Sequence, residues 1–149
     1  MVSRYELFTA CVASMYHDIQ RIERTEMAKF GLKGPHAQCL LAMSHFSEGV
    51  TAARLCDICE RDKAAISRTL GELEKMDLIS RKDENGNGYR VRLMLTDKGK
   101  EAAESVNRKA QQAVEQAGAG LDDAQREVFY RVLGLIAGNL NAICKDGLK

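Results

Sequence analysis

Five basic side chains mark the chemistry this chain is equipped for. Arg68 lies in a helix-forming run, and Arg81, Lys82, Arg90 and Arg92 flank the turn-forming cluster Asn85-Gly86-Asn87-Gly88. Guanidinium and ammonium groups hold phosphate oxygens, and arginine also matches the guanine edge, so the set suits a nucleic acid. Residues 61–100 carry ten Lys or Arg against seven Asp or Glu, a local +3, while the rest of the chain carries 12 against 14, or −2. A net charge of +1 thus conceals a modestly basic segment.

The thiols suggest less. Cys56 and Cys59 form a C-x-x-C on one helical face, but a zinc site needs further ligands, and His17, His36 and His45 show no ligand spacing with them. No metal and no other cofactor is expected, and these two cysteines are read as small core hydrophobes. Cys11 adjoins Phe8, Val12 and Met15 with no Lys, Arg or His within three residues, which favours burial at an interface. Thiol-based oxidant sensing through Cys11 is the alternative. With no P-loop, no G-x-G-x-x-G and no G-x-S-x-G, an enzyme is not expected.

The elements that must position these groups are mainly helical. Among 149 residues, 45% are hydrophobic and 29% charged, with one proline and no tryptophan, a composition for one globular, largely α domain. No apolar run is long enough to cross a membrane, and Met1-Val2-Ser3-Arg4-Tyr5-Glu6 lacks the apolar core of a signal peptide. Five cysteines without a disulfide pattern fit a reducing cytosol, so a cytoplasmic protein is expected.

From Ser3 to Phe30, Phe8, Val12, Met15, Ile19 and Ile22 recur at four and three, a stripe that wants a partner helix. Gly31 ends that helix, and Gly34-Pro35 opens a second one carrying Leu40, Leu41 and Phe46. Thr51 caps a short helix with Leu55, Cys56, Ile58 and Cys59; Asp62 caps a stronger one whose Ile66, Leu70 and Leu73 face inward. So short a link makes a helix-turn-helix. Leu78–Lys82 and Tyr89–Leu95 form a hairpin, with Tyr89, Val91, Leu93 and Leu95 alternating with Arg90, Arg92 and Met94. Thr96 caps a helix bearing Ala103, Val106, Ala110, Val114 and Ala117. Gly118-Ala119-Gly120 breaks it, and Asp122 with Gln125 opens a last helix through Val128, Val132, Ile136, Leu140 and Ile143.

With its apolar side buried, the second helix of the pair turns Ala64, Ser67, Arg68, Gly71 and Lys75 outward, a face small and polar enough for a major groove. The hairpin then acts as a wing on flanking backbone. A winged helix used as a protein-protein adaptor is the rival reading, although an adaptor surface would more often present aromatic anchors where Arg90 and Arg92 stand.

Several segments resemble the MarR family of bacterial winged helix-turn-helix transcription regulators. Residues 62–79, from Asp62-Lys63-Ala64-Ala65-Ile66-Ser67-Arg68 to Leu78-Ile79, are similar to that family's recognition helix and first wing strand. Leu95-Thr96-Asp97-Lys98-Gly99 matches its Leu-Thr-x-x-Gly segment, and Leu32 to Leu41 its second-helix opening. The family's wing Asp and Arg fall here on Asn87 and Tyr89, with Arg90 one residue displaced, and Glu60-Arg61 stand where the family has glycine and an aliphatic residue.

The resemblance implies a mainly α fold with a small β-hairpin wing. It implies a winged helix-turn-helix region at 31–96 and a helical dimerisation region at 1–30 and 97–149. It further implies a homodimeric repressor on a pseudo-palindromic double-stranded operator, released by a small, often aromatic effector. DNA contacts are expected from Lys63, Ala64, Ala65, Ser67, Arg68, Lys75, Arg81, Lys82, Arg90 and Arg92. Effector contacts are expected from Tyr16, His17, His36 and Met43 in a cleft between the two regions.

Overall fold

Ser3 opens the first helix, α1 (Arg4–Ala28), through a reciprocal cap: its hydroxyl accepts from the Glu6 amide while Glu6 accepts from the Ser3 amide. The computed structural model describes residues 3–84, 86, 88 and 90–148, so Met1, Val2, Asn85, Asn87 and Tyr89 of the sequence reading lie outside the described residues. Gly31, at φ +72°, takes the left-handed position that ends α1 cheaply. The second helix, α2 (Gly34–Met43), begins one residue before Pro35.

Thr51 caps α3 (Ala52–Cys59) by accepting from the Arg54 amide, and Asp62 caps α4 (Lys63–Lys75) by accepting from the Ala65 amide at 2.7 Å. Between them Glu60 closes α3 in a left-handed conformation, φ 50°, at one of the two turn positions that differ from the resembled pattern. A side chain with a Cβ is strained there, so the turn keeps the fold at a local cost.

The wing is shorter than the alternation implies. Strand β1 (Ile79–Lys82) pairs antiparallel with β2 (Arg92–Leu95) in the register Ile79↔Leu95 to Lys82↔Arg92. The expected return strand from Tyr89 is corrected: Arg90 sits at φ 61°, which breaks an extended run, and pairing begins only at Arg92. Leu78 likewise stays outside β1. Val50 extends the sheet as an isolated bridge, exchanging both backbone hydrogen bonds with Leu93.

Thr96 caps α5 (Asp97–Ala117), and Asp122 caps α6 (Asp123–Asp146) with Gln125 as its reciprocal partner. The chain divides into two compact units, residues 1–112 and 113–149. In the first, Met27, Leu40, Leu55, Ile66, Leu70, Leu73, Leu78, Leu93 and Val106 form one continuous core from α1 to α5. Ile58, expected on the apolar side of α3, is exposed, because Leu55 and Cys59 take the inward face. In the second unit α6 buries none of its residues, and Arg126 donates to the Gly118 carbonyl at 2.8 Å.

The segment Leu95-Thr96-x-x-Gly99 has a clear packing role. The Thr96 hydroxyl donates to the Asp77 carbonyl at 2.6 Å and accepts from the Gly99 amide at 3.1 Å, while the Thr96 amide donates to the Leu78 carbonyl. Gly99 runs against that same carbonyl so closely that any Cβ would collide with its oxygen. The three bonds lock the end of the wing and the start of α5 to the exit of α4.

Candidate nucleic-acid interface

Burial of Ile66, Thr69, Leu70 and Leu73 fixes the rotation of α4. Lys63, Ala64, Ser67, Arg68 and Lys75 are therefore exposed, Ala65 is half-buried, and a side chain at Gly71 would meet open space. The exposed face is a narrow strip of small residues with cations at both ends, the relief a helix needs to enter a groove. Arg68 makes no ion pair within 4.0 Å among the described residues.

The wing cations are held differently. Arg81 Nε donates to Glu74 of α4 at 2.8 Å, and Lys82 stands 3.4 Å from Glu84. Arg92 donates to the Glu48 carbonyl at 3.2 Å, which braces the loop before α3 against β2. Asp83 accepts from the amides of Gly86 and Gly88. All four wing cations are exposed.

A cavity of about 370 Å³ opens between α1 and α2 in the first unit. Tyr16, Ile19, Glu23 and Arg24 line it from α1, Pro35, Gln38 and Leu41 from α2, and Arg61 from the turn. Burial pushes the Glu23 carboxyl above its usual range. The lining thus combines two guanidinium groups and a carboxyl with aliphatic and phenolic surface.

Of the four residues named for an effector, only Tyr16 lines this cavity. His17 is exposed on α1, Met43 is buried at the rim of a second cavity of about 260 Å³ near Phe46 and Met94, and His36 is turned to α4. There the His36 Nε2 meets a Glu72 carboxylate oxygen, and its Nδ1 accepts from the Lys33 amide at 3.2 Å. The hydrogen bond from His36, aided by Arg68 and Lys33, holds the Glu72 carboxyl below its usual range. Arg24, Arg61, Gln38 and Glu72 were missed by sequence reasoning, since no spacing connects residues that meet across helices.

Cys59 is buried and Cys56 half-buried against the same core. Burial pushes the Cys39 thiol up to about 12 and raises that of Cys59, so both favour the inert thiol form. Cys11 is exposed in the single chain. No group of three or more His, Cys, Asp or Glu residues among those described could hold a metal ion.

Residues 30–88, the segment running from the end of α1 through the wing tip, match the MarR family model. An HTH-type transcriptional regulator of Bacillus subtilis (strain 168), YdgJ, is 24% identical over 135 residues, which span 88% of this chain and 82% of that protein. A MarR transcriptional regulator from Methanosarcina mazei Go1 superposes with a TM-score of 0.76 at 20% identity, covering 95% of this chain and 94% of that one. A putative MarR family regulator from Listeria monocytogenes, solved with 26mer DNA, gives a TM-score of 0.73 at 22% identity, with 95% of each chain covered. These relatives carry regulators' names and no enzyme's, in agreement with the sequence reading. The winged segment at 30–88 is thus similar to the MarR family, and the mainly α fold with a two-stranded wing is the fold of solved MarR regulators.

Proposed function

We propose that this protein is a homodimeric repressor that reads a pseudo-palindromic operator with α4 and grips flanking backbone with its wing. The observation that carries the reading is the outward face of α4, where exposed Lys63, Ser67, Arg68 and Lys75 surround small Ala64 and Gly71 and Arg68 makes no ion pair among the described residues. Ala65 borders that strip. Ser67 and Arg68 face base edges, while Arg81, Lys82, Arg90 and Arg92 neutralise phosphates. The neighbour from Listeria monocytogenes solved with DNA supports this assignment by its shared fold. Such a protein works in the cytoplasm, beside the chromosome.

The effector in this reading is a small aromatic anion in the α1–α2 cavity, stacked near Tyr16 with its charge on Arg24 and Arg61. The volume of about 370 Å³ fits a one-ring or two-ring molecule. Because α2 also packs on α4, occupancy there reaches the DNA-reading helix through a single packed element.

The test is fluorescence anisotropy of the purified protein with its upstream intergenic duplex and a scrambled control, at two salt concentrations. The wild-type protein should prefer the native duplex. Arg68→Ala should weaken that binding about tenfold, the loss of one base-edge contact. The pair Arg90→Ala/Arg92→Ala should lower affinity for both duplexes and reduce the salt slope by about 2, the loss of two phosphate contacts. Wild-type binding that ignores all three substitutions would remove α4 and the wing as the interface, and no binding at all would favour a protein-binding adaptor.

A further inference from the structure

His36 and Glu72 lie 36 residues apart and are joined by one contact between the start of α2 and the DNA-facing helix α4. The histidine is nearly enclosed, its side chain 10% exposed, while the Glu72 side chain is 50% exposed. Both ring nitrogens have defined roles. Nδ1 accepts the Lys33 amide, which requires it to be unprotonated, so the neutral ring carries its proton on Nε2 and donates it to Glu72. The backbone of α2 therefore fixes both the tautomer and the direction of the bond.

Glu72 has a competing partner. It stands four residues after Arg68 on the same helix, the spacing at which opposite charges pair across one turn. Yet Glu72 bonds His36, and Arg68 has no ion pair within 4.0 Å among the described residues. An arginine drawn onto its own helix's carboxylate loses both reach and charge for a duplex, and a freed carboxylate on that face repels phosphate.

We propose that His36 is a positioning residue for DNA recognition: by engaging Glu72 it keeps that carboxylate off Arg68 and leaves the guanidinium available to the duplex. The proposal rests on the reading that the α4 face meets DNA. It also links the α1–α2 cavity to α4, because Pro35 and Gln38, on either side of His36 in sequence, line that cavity. A molecule that shifts the first turn of α2 moves the donor that restrains Glu72. His36 is thus removed from the effector's direct contacts and placed between the cavity and the recognition helix.

The test compares anisotropy of the native duplex with wild-type protein, His36→Asn, Glu72→Gln and the double variant. Asparagine retains an acceptor for the Lys33 amide but is too short to reach Glu72, so the α2 start is preserved while the restraint is lost. His36→Asn should weaken binding roughly threefold, the scale of one exposed intrahelical ion pair plus its repulsion of phosphate. Glu72→Gln should bind at least as tightly as wild type, since glutamine accepts from His36 without a charge. The double variant should recover the affinity of Glu72→Gln, because a neutral side chain has nothing to offer Arg68. A role in packing alone predicts the opposite, with the double variant as weak as His36→Asn, and that result overturns the proposal. So does unchanged affinity in His36→Asn while Arg68→Ala weakens binding. If the wild type shows no preference for the native duplex, the α4 reading itself fails. Long-range proton–nitrogen spectra of the ring supply an independent check: protonation at Nε2 is expected, and protonation at Nδ1 overturns the assigned geometry.

Discussion

Gly99 and Glu26 show how single side chains secure the frame on which α4 is mounted. At Gly99 the Leu78 carbonyl occupies the space a Cβ would need, and the neighbouring Thr96 bonds tie that carbonyl to the entry of α5. Gly99→Ala must push the Leu78 backbone away from α5, and a melt should show a loss of about 2 kcal/mol or more, in the range for overpacking a tight core. Wild-type stability in that variant would mean the contact yields without cost. Glu26 is a buried carboxylate that accepts from Lys29 on its own helix and from the Ser105 hydroxyl of α5 at 2.9 Å. Its carboxyl is held below the ordinary 4.5, first by the Lys29 hydrogen bond and then by Ser105 and the cations Lys29 and Lys109, against the opposing effect of burial. A group with a depressed folded value stabilises above its unfolded value and loses that contribution as pH falls through the folded one. The melting temperature should therefore drop as the solution is taken below about pH 4.5, and Glu26→Gln should flatten that decline. An equally steep acid limb in the variant would place the titrating group elsewhere.

At the scale of elements, the features legible in the sequence are those whose cause is local. Thr51, Asp62, Thr96 and Asp122 cap the helices they were assigned, because a cap needs only a side-chain oxygen three residues ahead of an amide. The inward faces of α4 and α5 follow from periodicity alone. What escaped was set by tertiary geometry. The return strand of the wing was drawn too long because alternation continues through Arg90 and Val91 while the backbone turns at Arg90. His36 was named for an effector by its approximate place in the cleft that the family resemblance implies. Its ring points the other way, to a glutamate that no local pattern could connect to it. The same limit explains why Arg24 and Arg61 were missed: they belong to separate elements and share only a cavity.

On the scale of the whole molecule, the single chain leaves two long helices without cover for their apolar residues. Val12 and Met15 on α1 are 41% and 46% exposed, and α6 exposes Val132, Leu140 and Ile143 while burying none of its 24 residues. Isolated helices are marginal in water even with good formers, so an uncovered apolar face on α6 calls for a covering surface. In the proposed dimer a second copy of the chain covers these stripes, since both belong to every protomer and a two-fold contact needs only self-complementary patches. On that proposal the stripes that the periodicity singled out form the interface. Sedimentation of the wild-type protein at micromolar concentration should give twice the 16.5 kDa chain mass. Val132→Glu/Leu140→Glu should shift it towards one chain by placing charges in a dehydrated seam. The consequence for DNA is larger than the lost contacts, because two recognition helices held about one helical turn apart, roughly 34 Å, bind adjacent half-sites as a single event. Uncoupling them should reduce operator affinity about a hundredfold or more, the scale of lost avidity, and make the affinity for one half-site nearly equal to that for the full site. A wild-type protein that sediments as one chain and binds half and full sites alike would overturn the two-fold reading and leave α6 in need of a different partner.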